Sequence, residues 1–196
     1  MPTQMLRRPK PKKLPSRARG PMEVVVFQTE LGWIGIAHVG QQICGVKFGY
    51  PSERQLLAQF QGPYHVNQKP NLFERELIEA FSRFAAGEEV CFDDLEIDES
   101  GMTPFQQSVS QACRSIPFGE TVSYGELAKI AGSPKAARAV GSVMANNAFP
   151  LIVPCHRVIS SGRRLGGFSA PNGLTLKIQL LQMEGAEGFG SSDDSI

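Results

Sequence analysis

Hydrophobic and polar positions alternate with a period of two in the first third of the chain, which is typical of β-strands. "EVVVF" predicts a buried strand, and "WIGIAHV" and "ICGVKF" predict two strands paired through a hairpin at "GQQ". Two later segments, "SERQLLAQF" and "LFERELIEAFSRFAAG", change to the helical period, and the second places Phe73, Leu77, Phe81 and Phe84 close to one face. Residues 23–100 are therefore predicted to form a small α/β domain, and nothing in their pattern indicates chemistry.

Helix-start signals become clear after residue 101. In "TPFQ", Thr103 can cap a helix, Pro104 suits the first helical position, and Gln106 can complete a capping box. The segment "SYGE", residues 123–126, predicts a second capping box that opens a short helix through Ala131. The C-terminal half is therefore predicted to be mainly helical.

A second short helix follows the turn at "GSP". Ser133 is predicted as its cap and Pro134 as its first residue, with the helix running from Lys135 to about Ala145. Two short helices across a turn that contains Gly make a helix-turn-helix pattern, which also occurs as ordinary core architecture. Helical spacing turns one face inward, Ala137, Val140, Gly141 and Met144, and leaves an outward face with a basic end and small residues, Lys135, Arg138, Ser142 and Ala145. Small outward side chains suit close approach to DNA, including its narrow minor groove.

The predicted fold class is α+β with two domains and two tails. A small N-terminal α/β domain spans residues 23–100, and a mainly helical C-terminal domain with the helix-turn-helix spans 101–187. Residues 1–22 hold seven Lys or Arg and no acid, so they are expected to be a disordered tail. Two interpretations of this tail remain open: it attracts DNA phosphates, or it is only a solvated extension. Residues 188–196 are expected to be a flexible tail as well.

Composition narrows the class of protein. The 196 residues, 41% of them hydrophobic, are enough to bury a core. Because the chain has neither an apolar run of membrane-spanning length nor the apolar region of a secretory signal, we expect an intracellular protein that does not contact a membrane. The four cysteines are scattered without a CxxC pair, which argues against a disulfide framework and against a zinc ribbon.

The segment "LIVPCHRVIS", residues 151–160, places Cys155 beside His156 and Arg157 within an apolar run. A nucleophilic cysteine must react as thiolate, so a neighbouring base or cation has a chemical purpose. In an extended chain adjacent side chains point to opposite sides. His156 is therefore expected to reach the sulfur across a kink or, in the geometry we prefer, through a water. For Cys44, Cys91 and Cys113, a buried and inert thiol is the expectation.

Four segments together resemble the O6-alkylguanine-DNA alkyltransferase family, whose members are also named methylated-DNA-protein-cysteine methyltransferases. They are "IPFGETVSYGELA", "KAARAVGSVMANN", "LIVPCHRVISSGRRLGGFS" and "LTLKIQLLQMEG", and the similarity runs almost continuously over residues 101–187. The PCHR core in register with RAVG upstream is specific to that family. Residues 23–100 resemble the variable N-terminal domain of the family only loosely.

The resemblance implies roles for the residues around the cysteine. Cys155 takes the place of the nucleophile, with His156 as its base through water and Glu184 as the group that orients the histidine. Asn147 matches the asparagine that links the recognition helix to the active-site segment, and a turn-forming role for the same side chain remains compatible. Lys177 matches a lysine that helps to neutralise the departing purine oxygen, against the alternative of an ordinary helix-surface lysine.

The resemblance also implies how DNA is held. Arg138 matches the arginine that fills the space of an extruded nucleotide, and Tyr124 matches the tyrosine that assists its rotation and contacts the base. Without the resemblance, Arg138 is a solvated charge and Tyr124 a packing residue. Ser169 is expected to form a hydrogen bond with the O6 atom, and the Val158 carbonyl is expected to face the exocyclic amine of the base. From helical spacing alone, the other outward residues, Lys135, Ser142 and Ala145, are expected to contact DNA as well.

The implied activity is single-turnover repair of O6-alkylguanine, and also of O4-alkylthymine, in double-stranded DNA. The alkyl group moves to Cys155 without any cofactor, and a monomer is expected, in the cytoplasm or nucleoid of a bacterium or the nucleus of a eukaryote. An alkylation-responsive DNA-binding sensor or transcription regulator is the alternative. Ser110 stands where relatives often have Trp, which predicts looser packing behind the helix-turn-helix. No metal is expected, because four residues do not reproduce the zinc pattern of some members: His38, Cys44, His65 and Cys91.

Overall fold

A four-stranded sheet forms the N-terminal half of the protein. The computed structural model describes residues 21–162 and 164–189, so most of both predicted tails lies outside the described residues. The strand order is β3-β2-β1-β4, with β1 pairing antiparallel to β2, β2 antiparallel to β3, and β1 parallel to β4. The strands are β1 Met22–Thr29, β2 Gly32–Val39, β3 Gln42–Tyr50 and β4 Tyr64–Val66. The predicted strand and hairpin are confirmed, and Met22 already belongs to β1.

Two helices accompany this sheet. Helix α1, Glu53–Leu57, is shorter than its pattern predicted and begins at the Ser52 cap. Helix α2, Leu72–Ala85, begins with a capping box between Asn71 and Glu74. The predicted apolar face of α2 is largely buried, since three of its four residues are at most 2% exposed: Leu77, Phe81 and Phe84. This face supplies much of the N-terminal core.

Four helices form most of the C-terminal half. They are α3 Pro104–Arg114, α4 Tyr124–Ile130, α5 Ala137–Ala145 and α6 Leu174–Met183, with two-residue strands β5 Val122–Ser123 and β6 Val158–Ile159 paired in parallel. Both predicted capping boxes are present, Thr103 with Gln106 and Ser123 with Glu126. The fold class of an N-terminal sheet region followed by a helical region is therefore confirmed.

The start of α5 differs from the prediction. The helix begins at Ala137 without a side-chain cap, because the carbonyl of Ser133 instead accepts the Ala136 N–H over 2.9 Å and closes a turn. Pro134 and Lys135 lie in that turn, not on the helix. Lys135 therefore extends from the connection between α4 and α5, while Arg138 keeps its place in the first turn of the helix.

The two halves are joined along the open edge of β3. Ile43 donates its N–H to Glu96 O and accepts from Asp98 N, each over 2.8 Å, so the linker continues the sheet. Val46 N donates to Ala148 O over 2.9 Å, which attaches the segment after α5 to the same edge. One apolar cluster contains buried residues of both halves, and it includes Cys155. No helix among the described residues is long and apolar enough to cross a membrane.

Candidate active site

Cys155 opens a single 3₁₀ turn, Cys155–Arg157, directly after Pro154. The chain is therefore kinked at Cys155, which was one of the two expected geometries, and the turn replaces the alternation of a strand. The kink is prepared upstream, where Leu151 has a φ of 74° and Val153 N donates to Phe149 O over 2.8 Å. Cys155 is 8% exposed, so its thiol lies at the base of a pocket and not on the surface.

His156 and Glu184 form a buried pair beside this turn. Nε2 of His156 lies 2.7 Å from Oε1 of Glu184, and both residues are buried. Glu184 directly follows α6, where it is the C-terminal cap of the helix. The predicted contact between the histidine and the glutamate is therefore present, and it joins residues 28 positions apart in the chain.

Arg157 holds the other side of the same carboxylate. Its Nε donates to Glu184 Oε2 over 2.9 Å, one terminal nitrogen donates to Oε1 over 3.0 Å, and the other donates to Ile116 O over 2.7 Å. Gly119 N adds a contact of 3.3 Å to Oε2. Arg157 therefore pairs with an acid and holds the loop. Such a bidentate pair fixes the plane of the carboxylate.

The ionisation of this cluster follows from its contacts. Burial alone raises the pKa of Glu184, but the hydrogen bonds and charges of His156 and Arg157 outweigh it and lower the pKa to about 2. Burial lowers the pKa of His156, and the contribution of Glu184 only partly opposes that direction. At neutral pH the pair is therefore a carboxylate and a neutral imidazole. The imidazole proton lies on Nε2, where it is donated to Glu184, and Nδ1 keeps a lone pair.

Lys177 is fully buried inside the site, so the alternative of a helix-surface lysine is wrong. Its Nζ donates to Val158 O over 2.6 Å and to Leu165 O over 2.7 Å. Burial lowers the pKa of Lys177 to about 8, although Cys155 and Cys113 oppose the shift. The lysine thereby ties α6 to both sides of the loop that follows Cys155. The Val158 carbonyl, expected to face the base, has one lone pair engaged by this contact.

The pocket at Cys155 holds about 80 Å³. Asn147 and Ser169, both expected at the site, line it together with Pro150 and Phe168. Strand β3 contributes four residues that the sequence pattern did not single out: Val46, Lys47, Phe48 and Tyr50. An alternating strand carries no local sign of such a role, because its position depends on how the two halves pack.

Asn147 connects α5 to the nucleophile segment. Its Nδ2 donates to Val153 O over 2.7 Å, and its Oδ1 accepts from Phe149 N over 2.9 Å. These bonds close the turn and fix the chain two residues before Cys155 at the same time. The linking interpretation and the turn-forming interpretation therefore describe one arrangement.

Tyr124 lies between α5 and the loop after Cys155. A Cβ placed on Gly166 would lie 3.1 Å from the Tyr124 hydroxyl, and one on Gly141 of α5 would lie 3.9 Å from its ring. Burial and the charge of Cys155 raise the pKa of the Tyr124 phenol, so it is a protonated donor at neutral pH. The ring is half-buried, and Tyr124 is not among the described residues that line the pocket at Cys155.

The face expected to meet DNA is exposed. Four residues are solvent-accessible on α5 and the turn before it: Lys135, Arg138, Ser142 and Ala145. On the face predicted to turn inward, Val140 and Met144 are buried, whereas Ala137 and Gly141 are only half-buried. Within residues 21–162 and 164–189, no three His, Cys, Asp or Glu side chains form a group that could hold a metal ion.

Comparison with known proteins identifies this arrangement. A family model described as 6-O-methylguanine DNA methyltransferase, DNA binding domain, matches residues 104–186. The methylated-DNA-protein-cysteine methyltransferase of Methanosarcina acetivorans is 45% identical over 114 residues, which are 58% of this chain and 70% of that protein. The chain belongs to the methylated-DNA-protein-cysteine methyltransferase family. This confirms the resemblance drawn from the four segments.

Two further relatives of the methyltransferase extend the comparison. The Haemophilus influenzae protein of the same name is 40% identical over 121 residues, which are 62% of this chain and 65% of that protein. Mycobacterium tuberculosis OGT, solved in complex with DNA, superposes with a TM-score of 0.66 at 32% identity over 83% of this chain and 92% of that chain. The matched segments thus span about two thirds of the two curated relatives, while the structural match also includes the N-terminal sheet.

Proposed function

We propose that this methyltransferase repairs O6-alkylguanine in double-stranded DNA by moving the alkyl group once and permanently to Cys155. The observation that carries the proposal is the buried imidazole-carboxylate pair of His156 and Glu184, which adjoins a cysteine at the base of a small pocket. The names of the family members and the DNA complex of the mycobacterial relative support it. O4-alkylthymine, with an alkoxy group in a comparable position, is the second substrate.

The contact between His156 and Glu184 supports a proton relay to Cys155. Nδ1 of His156 accepts the Cys155 thiol proton through a bridging water, and the resulting imidazolium is stabilised by the ionised Glu184. Arg157 keeps that carboxylate in place, so the charge that develops on the histidine meets a fixed partner. The cysteine then attacks as a thiolate.

The transfer step exchanges one bond for another. The sulfur forms a bond to the alkyl carbon as the bond from that carbon to O6 breaks, and the bonding electrons remain on the guanine. The base then takes up one proton and leaves as normal guanine. Tyr124 is the donor proposed at the base, Ser169 the donor at O6, and the Lys177 ammonium reduces the negative charge that develops on the purine. The Val158 carbonyl accepts from the exocyclic amine with its second lone pair.

Base extrusion is required because Cys155 is almost fully buried. A base stacked in a duplex cannot bring its alkyl group to a sulfur at the bottom of a pocket, so the nucleotide must rotate out. Arg138 on the exposed face of α5 fills the vacated space, and Ser142 and Ala145 allow the helix to approach the groove closely. Lys135 in the preceding turn contacts phosphate.

The chemistry of the product limits each molecule to one reaction. A thioether has no easily hydrolysed bond, so Cys155 is consumed and no cofactor restores it. Because all the proposed groups come from a single chain, the monomer is the proposed active form. Its compartment is the one that holds the DNA.

Intact mass measurement tests the proposal. The protein is incubated with excess duplex carrying one O6-methylguanine, and the expected result is a mass gain of one methyl group, located on the peptide with Cys155. Cys155→Ala is expected to bind the same duplex without any gain in mass. The thiol of Cys91 is exposed and not buried as expected, and Cys91→Ala is expected to react fully. An unchanged mass of the unaltered protein with retained DNA binding would favour the sensor alternative.

A further inference from the structure

Both halves of the protein line the pocket at Cys155. On one side lie residues of the loop that follows the nucleophile, among them Phe168 and Ser169, and on the other side lies strand β3. Val46 and Phe48 are two positions apart on that strand, so their side chains share a face. Both are buried, and both belong to the apolar cluster that contains Cys155. The N-terminal half therefore supplies an apolar wall to the site proposed for alkyl transfer.

Phe48 meets the loop side of the pocket through an aromatic contact. Its ring centroid lies 6.5 Å from that of Phe168, and the ring planes are inclined by 69°, which is an edge-to-face arrangement. Phe48 is buried, and Phe168 packs against the same apolar cluster. Since both residues line the pocket, the two rings form one aromatic wall made from both halves of the chain.

Two contacts hold this wall in place. Val46 N donates to Ala148 O over 2.9 Å, which fixes β3 against the segment that leads to the nucleophile. A Cβ placed on Gly49 would lie only 2.5 Å from Cδ2 of Leu176, so α6 packs directly against β3 at the residue after Phe48. Close-packed interiors resist the displacement of a large ring. Phe48 is therefore held where it is when a group enters the pocket.

The volume of the pocket limits the alkyl group that can occupy it. A methyl or methylene group takes about as much space as one water molecule, roughly 30 Å³. An ethyl group, roughly 60 Å³, fits within the pocket of about 80 Å³, whereas a butyl group, roughly 120 Å³, exceeds it. A single methylene in an apolar pocket changes a rate by about 10–200-fold, so the excess is large enough to measure.

We propose that Phe48 is a specificity-determining residue of alkyl transfer, which limits the group moved to Cys155 to one or two carbons. The inference rests on the proposed function, and it assigns a role in substrate choice to the N-terminal half, whose sequence pattern indicates none. A longer chain meets the rings of Phe48 and Phe168 before its first carbon reaches the sulfur. Shortening Phe48 therefore extends the range of accepted groups.

Single-turnover transfer from duplexes that carry O6-ethylguanine or O6-butylguanine tests the proposal. Both groups are unbranched primary alkyl chains of similar intrinsic reactivity, so the ratio of the two rates reports on size. The unaltered protein should transfer butyl at least about tenfold more slowly than ethyl, and in Phe48→Leu the ratio of butyl to ethyl should rise at least about tenfold. Phe81→Leu is the matched control. Phe81 is fully buried in α2 and is not among the described residues that line the pocket, so its variant should keep the ratio of the unaltered protein.

Enlarging the same wall gives a test in the opposite direction. Val46→Leu adds one methylene beside Phe48, so the ratio of ethyl to methyl transfer should fall about tenfold. This variant decides the question if near-UV circular dichroism shows that Phe48→Leu does not fold.

The outcomes separate this inference from the proposed function. Normal methyl transfer together with unchanged size ratios in Phe48→Leu and Val46→Leu would overturn only the role of Phe48, as would equal rates for ethyl and butyl in the unaltered protein. Failure of the unaltered protein to transfer even a methyl group would overturn the proposed function itself.

Discussion

The carboxylate of Glu184 lies 2.7 Å from Nε2 of His156, and both groups are buried. The same carboxylate carries the bidentate contact of Arg157. One acidic side chain thus sets both the tautomer of the base beside Cys155 and the position of a buried guanidinium.

Replacing Glu184 by Gln is therefore expected to affect reaction and stability together. The alkyl-transfer rate should fall about 100-fold, because the imidazolium loses its anionic partner. The free energy of unfolding should fall by about 3 kcal/mol, because Arg157 is left buried without a counter-charge. Single-turnover kinetics and urea denaturation measure the two effects. Glu120→Gln, at an exposed position next to Gly119, is the control and should change neither.

Lowering the pH should decrease the free energy of unfolding, because Glu184 becomes protonated. Glu184 has a pKa of about 2 in the folded protein, against about 4.3 in an unfolded chain. A lowered folded pKa stabilises the protein above the unfolded value, and this contribution is lost as the pH falls from about 4.3 through 2. Urea denaturation at several pH values should show a loss of about 3 kcal/mol from this group. A Glu184→Gln variant with an equally steep decline in that range would contradict the assignment.

Lys177 is expected to act through the loop that it anchors. Lys177→Met removes the two donors to Val158 O and Leu165 O, so hydrogen exchange over residues 158–170 should accelerate. The alkyl-transfer rate should fall at least about tenfold, since a fixed charge and a fixed loop are both lost. Lys129→Met, at an exposed lysine of α4, should leave this exchange unchanged. Unaltered protection of the loop in Lys177→Met would contradict the anchoring role.

Gly119 is expected not to tolerate a side chain. Comparison with Gly132 separates the steric contact from the backbone strain. Its φ is +76°, and a Cβ would lie 2.8 Å from the backbone oxygen of Glu184. Gly132 has a similar φ of +73° with nothing within 4 Å. Gly132→Ala should therefore cost about 1 kcal/mol from backbone strain alone, and Gly119→Ala clearly more. If urea denaturation gave the same loss of unfolding free energy for both variants, the backbone at Glu184 would move away from the new Cβ at no cost.

Arg138 is expected to matter only when a base must leave a duplex. Arg138→Ala should slow alkyl transfer from duplex DNA more than transfer from the free modified base, because only the duplex needs the vacated space filled. Comparison of the two single-turnover rates measures the difference. An equal loss with both substrates would contradict the extrusion role. Arg83→Ala, at an exposed arginine of the N-terminal half, is the control and should affect neither rate.

Local signals carried the sequence predictions that succeeded. The two capping boxes at Thr103 and Ser123 were predictable because each depends on residues three positions apart. The start of α5 was not, because Ser133 offers both a hydroxyl cap and a turn-closing carbonyl, and the fold uses the carbonyl. The contact between His156 and Glu184 followed from family resemblance, since spacing alone does not bring those residues together.

Packing between distant segments explains what the sequence pattern missed. Lys177 is a residue type that usually lies on a helix surface, yet two backbone carbonyls on the facing loop satisfy it in the interior. Lys47 and Tyr50 line the pocket at Cys155 because the segment after α5 attaches to β3. Neither fact is visible in a single helix or strand taken alone.

The attachment of the linker and of Ala148 along β3 has a consequence for the behaviour of the protein at high concentration. An open strand edge offers a row of unpaired amides and carbonyls on which another molecule can add its own strand. Here the backbone of the same chain bonds to Ile43 and Val46 on the β3 edge. The middle of β3 is therefore closed to a strand from another molecule, even though the sheet is built from long apolar strands.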